Sequence, residues 1–425
     1  MSENGLLIIG SSQAGVQLAV SSRALGYAAP VTLLGDENHR PYQRPALSKD
    51  FLQDKITKES LIFRSQEFWD EHRITVVKGE RIEKIVTTPD GTGTAWSTSG
   101  RAFPFGRLAL TVGARARRLD VPGAGLDGVL YLRNADDALE LKARTAGAER
   151  VVVIGGGFIG IEAAAGLHAL GKRVTLLEFA DRLVARAVGA ETSRFILDHH
   201  RRAGIDIRLG SAVDEIVGHG GKVRAVRAGG EEIAADIVLV GIGVVPNTEL
   251  AEEMGLRCDN GIVVDRHAVA SDGTTLAVGD CANLPNPVPG SPAGERVRFE
   301  SVNHAIEQAK VAAHALIGRQ GEYAGIPWFW SNQGDLKLQI AGLSSGYDRT
   351  VVRSPADPLK HSVLYYRGDR LVAADCVNVP LDFMAVKQAL TKGVTLPPDA
   401  VADPAVPLRS LLAEVAAPDE GNQPA

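Results

Sequence analysis

The stretch VVVIGGGFIG, Val151–Gly160, runs from four β-branched residues straight into the spacing G-x-G-x-x-G. That order predicts a buried strand, a tight turn and the start of a helix. In such a loop Gly155 permits the turn, Gly157 lets backbone approach a pyrophosphate, and Gly160 lets helix pack on strand. The helix N-terminus then offers free N–H groups and a partial positive charge. The helical run IEAAAGLHALG follows, then a short apolar run, Val174–Leu177 (VTLL), closed by Glu178. A carboxylate at that spacing accepts hydrogen bonds from an adenosine ribose 2′-hydroxyl and repels a 2′-phosphate, which favours NADH over NADPH. Arg182 lies close enough to soften that preference, and a solvated strand-end glutamate is the plainer alternative.

The same cycle occurs near the N-terminus. IIGSSQAG, Ile8–Gly15, keeps Gly10 and Gly15 and leads into VQLAVSSRALG and a second VTLL, Val31–Leu34, with Asp36 or Glu37 at the strand end. Ser12 replaces the middle glycine. Its Cβ crowds a phosphate at contact distance, whereas its hydroxyl can donate to a pyrophosphate directly or through water. Two such βαβ cycles predict an α/β chain with two doubly wound dinucleotide-binding domains. Arg107–Gly113 and Asp236–Gly243 are similar apolar strands ending at glycine turns, and each closes one domain. Leu276–Asp280 reads as a last buried strand ending at an acid, and Ser301–Ile317 as a helix. Beyond Ile326 the pattern alternates (DLKLQIAGL, HSVLYYRG, RLVAADCVN) and ends in two helical stretches, a third domain of antiparallel character. The expected division is 1–112 with 244–325, then 113–243, then 326–415, with 416–425 a disordered tail.

Bulk properties narrow the function. The 425 residues suit two or three domains at ~150 residues each. Hydrophobic content of 45% with 23% charged residues fits a globular protein. A net charge of −5 gives no nucleic-acid footprint. No apolar run approaches the ~18 residues that span a bilayer. MSENGLLIIG has no basic n-region, so a cytoplasmic protein without a signal peptide is expected. The cysteines Cys258, Cys281 and Cys376 are far apart, without metal-ligand spacing, and read as free thiols. No metal site is expected.

RPYQRPALSKDFL (Arg40–Leu52), GIGVVPNTEL (Gly241–Leu250), AVGDCA (Ala277–Ala282), ESVNHAIEQAK (Glu300–Lys310) and PWFWSNQ (Pro327–Gln333) complete the set of motifs, in order. With the glycine loops they resemble the FAD- and NADH-dependent ferredoxin reductases of bacterial oxygenase systems, across the chain to about Leu412. The tandem dinucleotide folds are shared with glutathione reductase, rubredoxin reductase and apoptosis-inducing factor. The motifs around Lys49 and Trp330 are narrower. The resemblance implies FAD at the first loop, with Gly10, Ala14, Gly15 and Asp36 at its adenosine end, while Ser12, where these proteins usually have glycine, and Ile82 also bind it. Lys49 and Arg133 lie along it, Asp280 serves the ribityl chain, Val302 sits by the ring, and Trp330 packs near it. Gly155, Gly157, Gly160, Glu162 and Glu178 fall to NADH. Val112 stands where a threonine is usual and Ala116 where a proline is usual, and the second departure is expected to loosen a crossover hinge.

Reduced flavin is anionic, so Lys49 supplies useful positive potential if it lies against the ring, with Glu162 as its partner. Their alternatives are a surface lysine and a solvent-facing helix glutamate, and Trp330 could be plain core. A helix starting near Val302 aims its amides at the flavin. No cysteine precedes Cys258, which leaves flavin as the redox group. Nothing in the chain ligates an iron–sulfur cluster. The implied partner is therefore a [2Fe–2S] ferredoxin that carries single electrons onward. Arg64, Arg73, Arg298, Arg319, Lys337 and Lys387 are candidates for its docking surface, or simply solvated charge. Rubredoxin as acceptor, a redox-sensing protein of apoptosis-inducing-factor type and an NADH oxidase are the rival functions. A monomer or weak dimer is expected.

Overall fold

Strands β1 (Leu6–Ile9) and β2 (Val31–Leu34) flank helix α1 (Gln13–Ala24), as the first apolar–glycine–helix cycle dictates. They pair in parallel, Leu6 with Val31 through Ile9 with Leu34. β3 (Ile74–Val77) extends the sheet beyond β2, and β4 (Arg107–Leu110) pairs with β1 on the other side. The chain then builds a second parallel sheet from β5 (Val129–Tyr131), β6 (Arg150–Ile154), β7 (Arg173–Leu177), β8 (Asp206–Arg208) and β9 (Ile237–Val240). Its order is β8-β7-β6-β9-β5, with α2 (Phe158–Ala169) and α3 (Ala190–Arg202) on the crossovers. β10 (Leu276–Ala277) returns to the first sheet and pairs with β4, giving β10-β4-β1-β2-β3. α4 (Val302–Leu316) then packs on α1 through small residues, Ala14 and Ala19 against Ala305, Ala309 and Ala312. This computed structural model describes residues 4–288, 291–292, 294–321, 323 and 325–416. Residues 417–425, nearly all of the tail expected to be disordered, lie outside the described residues, and Ala416 closes the last helix.

The two chain crossings between the parallel sheets are zipped together. Ala114–Ala116 pairs antiparallel with Val244–Pro246, Ala116 opposite Val244. Ala116, which stands where a proline was expected, is part of this ladder. Antiparallel three-stranded layers, Ile82–Phe105 and Val213–Ala234, flank the parallel sheets. The strand Ala282–Pro285, which comes after β10, is also buried and pairs with Ile262–Val263 and Arg296–Val297, so β10 is not the last buried strand.

The third unit is a five-stranded antiparallel sheet of β11 (Trp328–Gln333), β12 (Leu336–Gly342), β13 (Arg349–Arg353), β14 (His361–Arg367) and β15 (Arg370–Val377). Its order is β11-β12-β15-β14-β13, and α5 (Pro380–Lys392) covers it. Two shorter helical pieces follow α5, one more than expected, because prolines at 397 and 398 begin a separate turn. One apolar cluster joins all three units: Phe51 and Leu52, Val151 and Ile161, and Leu336 and Leu338 belong to it. No helix of the described residues is long and apolar enough to cross a membrane.

A buried acid joins β15 to the start of α3. Asp375 Oδ2 accepts from the Tyr365 hydroxyl and, at 3.3 Å, from the Gly189 N–H. The Gly189 N–H also reaches the Tyr365 oxygen at 2.9 Å, and a Cβ on Gly189 meets that oxygen at 2.5 Å. Burial pushes the Asp375 carboxyl up from 3.8 to about 6. A folded-state value above the unfolded one means stability is fully present below about pH 4 and is lost as pH rises to about 6. That loss is on the order of 3 kcal/mol for this one group. Asp375→Asn is expected to remove it. The melting temperature of the variant should therefore gain on the natural protein across that pH window, and parallel curves would show the acid to be uncoupled from folding.

Candidate functional site

Both glycine loops open into one cleft of about 2910 Å³. At Gly10 (φ +114°) and Gly155 (φ +108°) the chain turns through a conformation that disfavours any side chain. Gly15 and Gly160 lie beneath the loops: a Cβ on either meets the carbonyl oxygen of Gly10 at 1.9 Å or of Gly155 at 2.0 Å. Gly157 is different, for a Cβ there meets nothing within 4 Å. It lines the cleft, so the space it leaves open is the cleft's own. Neither Ser12 nor Gly157, the N-cap residues of α1 and α2, provides a side-chain cap, and neither helix carries an acid in its first turn. Uncapped helix starts turned into a cleft fit a phosphate group at each loop.

At the second loop Glu178 lines the cleft, accepting from Gly156 N–H at 2.5 Å and Ala180 N–H at 2.7 Å. The exposed ring of Phe179 follows it on the cleft wall. At the first loop the structure separates the two strand-end acids. Glu37 accepts from the Tyr42 hydroxyl at 2.6 Å and pairs with Arg44, whereas Asp36 stands exposed at the cleft. Ser12 also lines the cleft, and its Oγ accepts from Arg44 Nε at 3.1 Å. Ala14 lies beneath the loop, 3.0 Å from where a Cβ on Gly279 would sit, and Ile82 adds an apolar patch of cleft wall.

Between the loops lies an ion pair. Lys49 Nζ stands 2.7 Å from Glu162 Oε2, with side-chain exposures of 12% and 3%. Ser48 donates to the same oxygen at 2.6 Å and Ser331 to Oε1 at 2.7 Å, while Lys49 also donates to Pro45 O at 2.9 Å. Neither the surface-lysine nor the solvent-facing-glutamate alternative survives this burial. Arg133 and Asp280 form a second pair at 2.9 Å, and Arg133 Nε donates to Ala114 O at 2.8 Å. Val302 begins α4 on the cleft wall, where Ser301 Oγ already accepts the His304 N–H at 3.1 Å. Trp330 enters from β11, its ring centroid 5.4 Å from that of Trp328, on the cleft and not in the core.

Arg298 is not a surface charge, contrary to expectation: it is spent on Asp280 O at 3.0 Å and Glu300 at 2.7 Å. A threonine precedes Val112. Thr111 Oγ1 donates to Gly10 O at 2.7 Å, tying β4 to the first loop. Sequence reasoning passed over Arg44, Ser48 and Ser331, although all three lie inside the motifs that carry the resemblance. Among the described residues no cysteine lines the cleft. Burial pushes the Cys281 thiol up to about 11 and that of Cys376 well above its ordinary value.

Residues 5–309 match the family model of the pyridine nucleotide-disulphide oxidoreductases, and residues 328–412 that of a reductase C-terminal domain. The chain belongs to the pyridine nucleotide-disulphide oxidoreductase family. Rhodocoxin reductase of Rhodococcus erythropolis is 42% identical, covering 98% of each chain. Putidaredoxin reductase of Pseudomonas putida is 38% identical over 96% of this chain and 97% of its own. The solved covalent putidaredoxin reductase–putidaredoxin complex superposes with a TM-score of 0.92 at 37% identity, over 98% of this chain and 100% of that one. Like other members of the family this chain is an oxidoreductase. The disulphide chemistry in the family's name has no cysteine pair here to perform it.

Proposed function

We propose that the protein oxidises NADH through a bound FAD and passes the electrons singly to a [2Fe–2S] ferredoxin serving an oxygenase. The carrying observation is the pairing of two uncapped glycine-loop helix starts across one cleft, with the buried Lys49–Glu162 pair between them. The names of the relatives, reductases of rhodocoxin and putidaredoxin, point to the same acceptor class. FAD belongs at the first loop, with Asp36 and Ile82 towards its adenosine, Arg133 and Asp280 along its length, and Lys49, Val302 and Trp330 at its ring. Ser12, steadied by Arg44, turns its hydroxyl proton to the pyrophosphate. NADH belongs at the second loop, its ribose on Glu178 and its adenine on the face of Phe179. When bound, a flavin accepts a hydride from the nicotinamide and releases electrons one at a time.

The chain's own residues set the conditions for that chemistry. Lys49 places a fixed positive charge where negative charge develops, and burial strengthens its field. Glu162 holds the ammonium in place instead of leaving it to wander.

Purified protein should reduce cytochrome c from NADH only when a [2Fe–2S] ferredoxin is added. Rapid turnover to oxygen without a carrier defeats this reading. NADPH turning over as well as NADH removes the role given to Glu178.

A further inference from the structure

Glu162, Ser331, Gln333 and His200 form a buried chain whose polarity is forced from one end. A carboxylate can only accept, and Glu162 takes Lys49 and Ser48 on Oε2 and the Ser331 hydroxyl on Oε1. Ser331 has one proton, so its oxygen must accept the next bond, from Gln333 Nε2 at 3.1 Å. The Gln333 amide is thereby turned with Oε1 towards His200 Nε2, 3.2 Å away. An amide oxygen there requires the proton of His200 to sit on Nε2. Ser331 and Gln333 are wholly buried and His200 is 2% exposed, so water offers no substitute partner. The chain crosses from α2 to β11 to α3.

We propose that His200 is a positioning residue for the Lys49–Glu162 pair, acting through Gln333 and Ser331 to keep Ser331's one proton on Glu162. The other tautomer makes Nε2 an acceptor, turns the Gln333 amide over, and draws the Ser331 proton to Gln333 Oε1. Glu162 then loses one donor and its hold on Lys49 loosens. Burial also pushes His200 down to about 4, so at neutral pH it is uncharged and only the choice of nitrogen matters. The bearing of this chain on electron transfer rests on the function proposed above.

Two measurements on the purified full-length protein test it. Nitrogen NMR of labelled histidine should show His200 as the Nε2–H tautomer at neutral pH, and a dominant Nδ1–H form overturns the proposal. Reductive methylation of Lys49, followed by mass spectrometry, should run about tenfold faster in His200→Leu and in Gln333→Met. His200→Gln, whose amide nitrogen reaches as far as Nε2, should return the rate towards that of the natural protein. Equal rates in all four proteins overturn the proposal. If His200→Leu does not fold, Gln333→Met and the tautomer still decide. Neither readout uses ferredoxin, so a natural protein that fails to reduce ferredoxin defeats the function alone.

Discussion

Lys49→Met is expected to lower the unfolding free energy by roughly 3–5 kcal/mol, because it leaves the Glu162 carboxylate buried without its counter-charge. The same change should slow reduction of the protein's flavin by NADH on the order of 10²-fold, the usual loss when a fixed stabiliser of developing negative charge is removed. Glu162→Gln added to it separates the two effects. The amide introduced in the double variant keeps an oxygen for the Ser331 hydroxyl and offers its nitrogen to the Ser48 oxygen, the two groups that reach Glu162 at 2.7 and 2.6 Å. Most of the lost stability should therefore return. The rate should not, since the positive charge is still missing. Denaturant unfolding and stopped-flow reduction of the single and double variants supply both readings. A double variant that regains the rate along with the stability would show Lys49 to be no more than a counter-ion for Glu162.

Much of this architecture was readable because it rests on local spacing. Four β-branched residues before Gly155 and an acid closing the next strand need no partner from elsewhere to be recognised. The same holds for the first loop, despite Ser12. The pair at Lys49 and Glu162 was legible only as an implied role, because 113 positions of sequence separate two residues that touch at 2.7 Å. Its supporting shell was not legible at all. Ser48, Ser331, Gln333 and His200 are polar residues without a local spacing signal, and what makes them significant is burial in one hydrogen-bonded chain that ends on the Glu162 carboxylate. Arg298 failed in the opposite direction: a charge in a polar stretch reads as solvated, yet a nearby backbone oxygen and Glu300 consume it. Asp375 is a third kind of miss. An acid within the apolar strand RLVAADCV carries no signal that a tyrosine and a helix start will meet it.

The two glycines of the second loop should fail in different ways when each is changed to alanine. At Gly160 the new methyl would stand 2.0 Å from the Gly155 oxygen and 3.1 Å from its carbon. Both atoms are backbone, in a loop whose start is held by the Gly155 N–H bond to Leu177 O, so relief requires the loop or α2 to move. Gly160→Ala should cost at least the 1–3 kcal/mol typical of overpacking, and NADH binding should fall with the loop's geometry. At Gly157 nothing beyond the adjoining chain lies within 4 Å of the added methyl, so stability should change by no more than about 1 kcal/mol. On the proposed assignment of NADH to this loop the methyl instead occupies the surface offered to the pyrophosphate, and the KM for NADH should rise on the order of tenfold or more. Ser12 makes this a demanding test, because it holds the N-cap position of α1 that Gly157 holds in α2 and already carries a Cβ. The first loop accommodates that atom with Arg44 drawn against its hydroxyl at 3.1 Å, an arrangement that the glycine at 157 cannot offer. Direct chemical reduction of the flavin in Gly157→Ala should be unaltered, which isolates the defect to the nucleotide. An unchanged KM for NADH in that variant would mean that the dinucleotide stands off from the second loop, and the space beside Gly157 would have to be explained by something other than a phosphate.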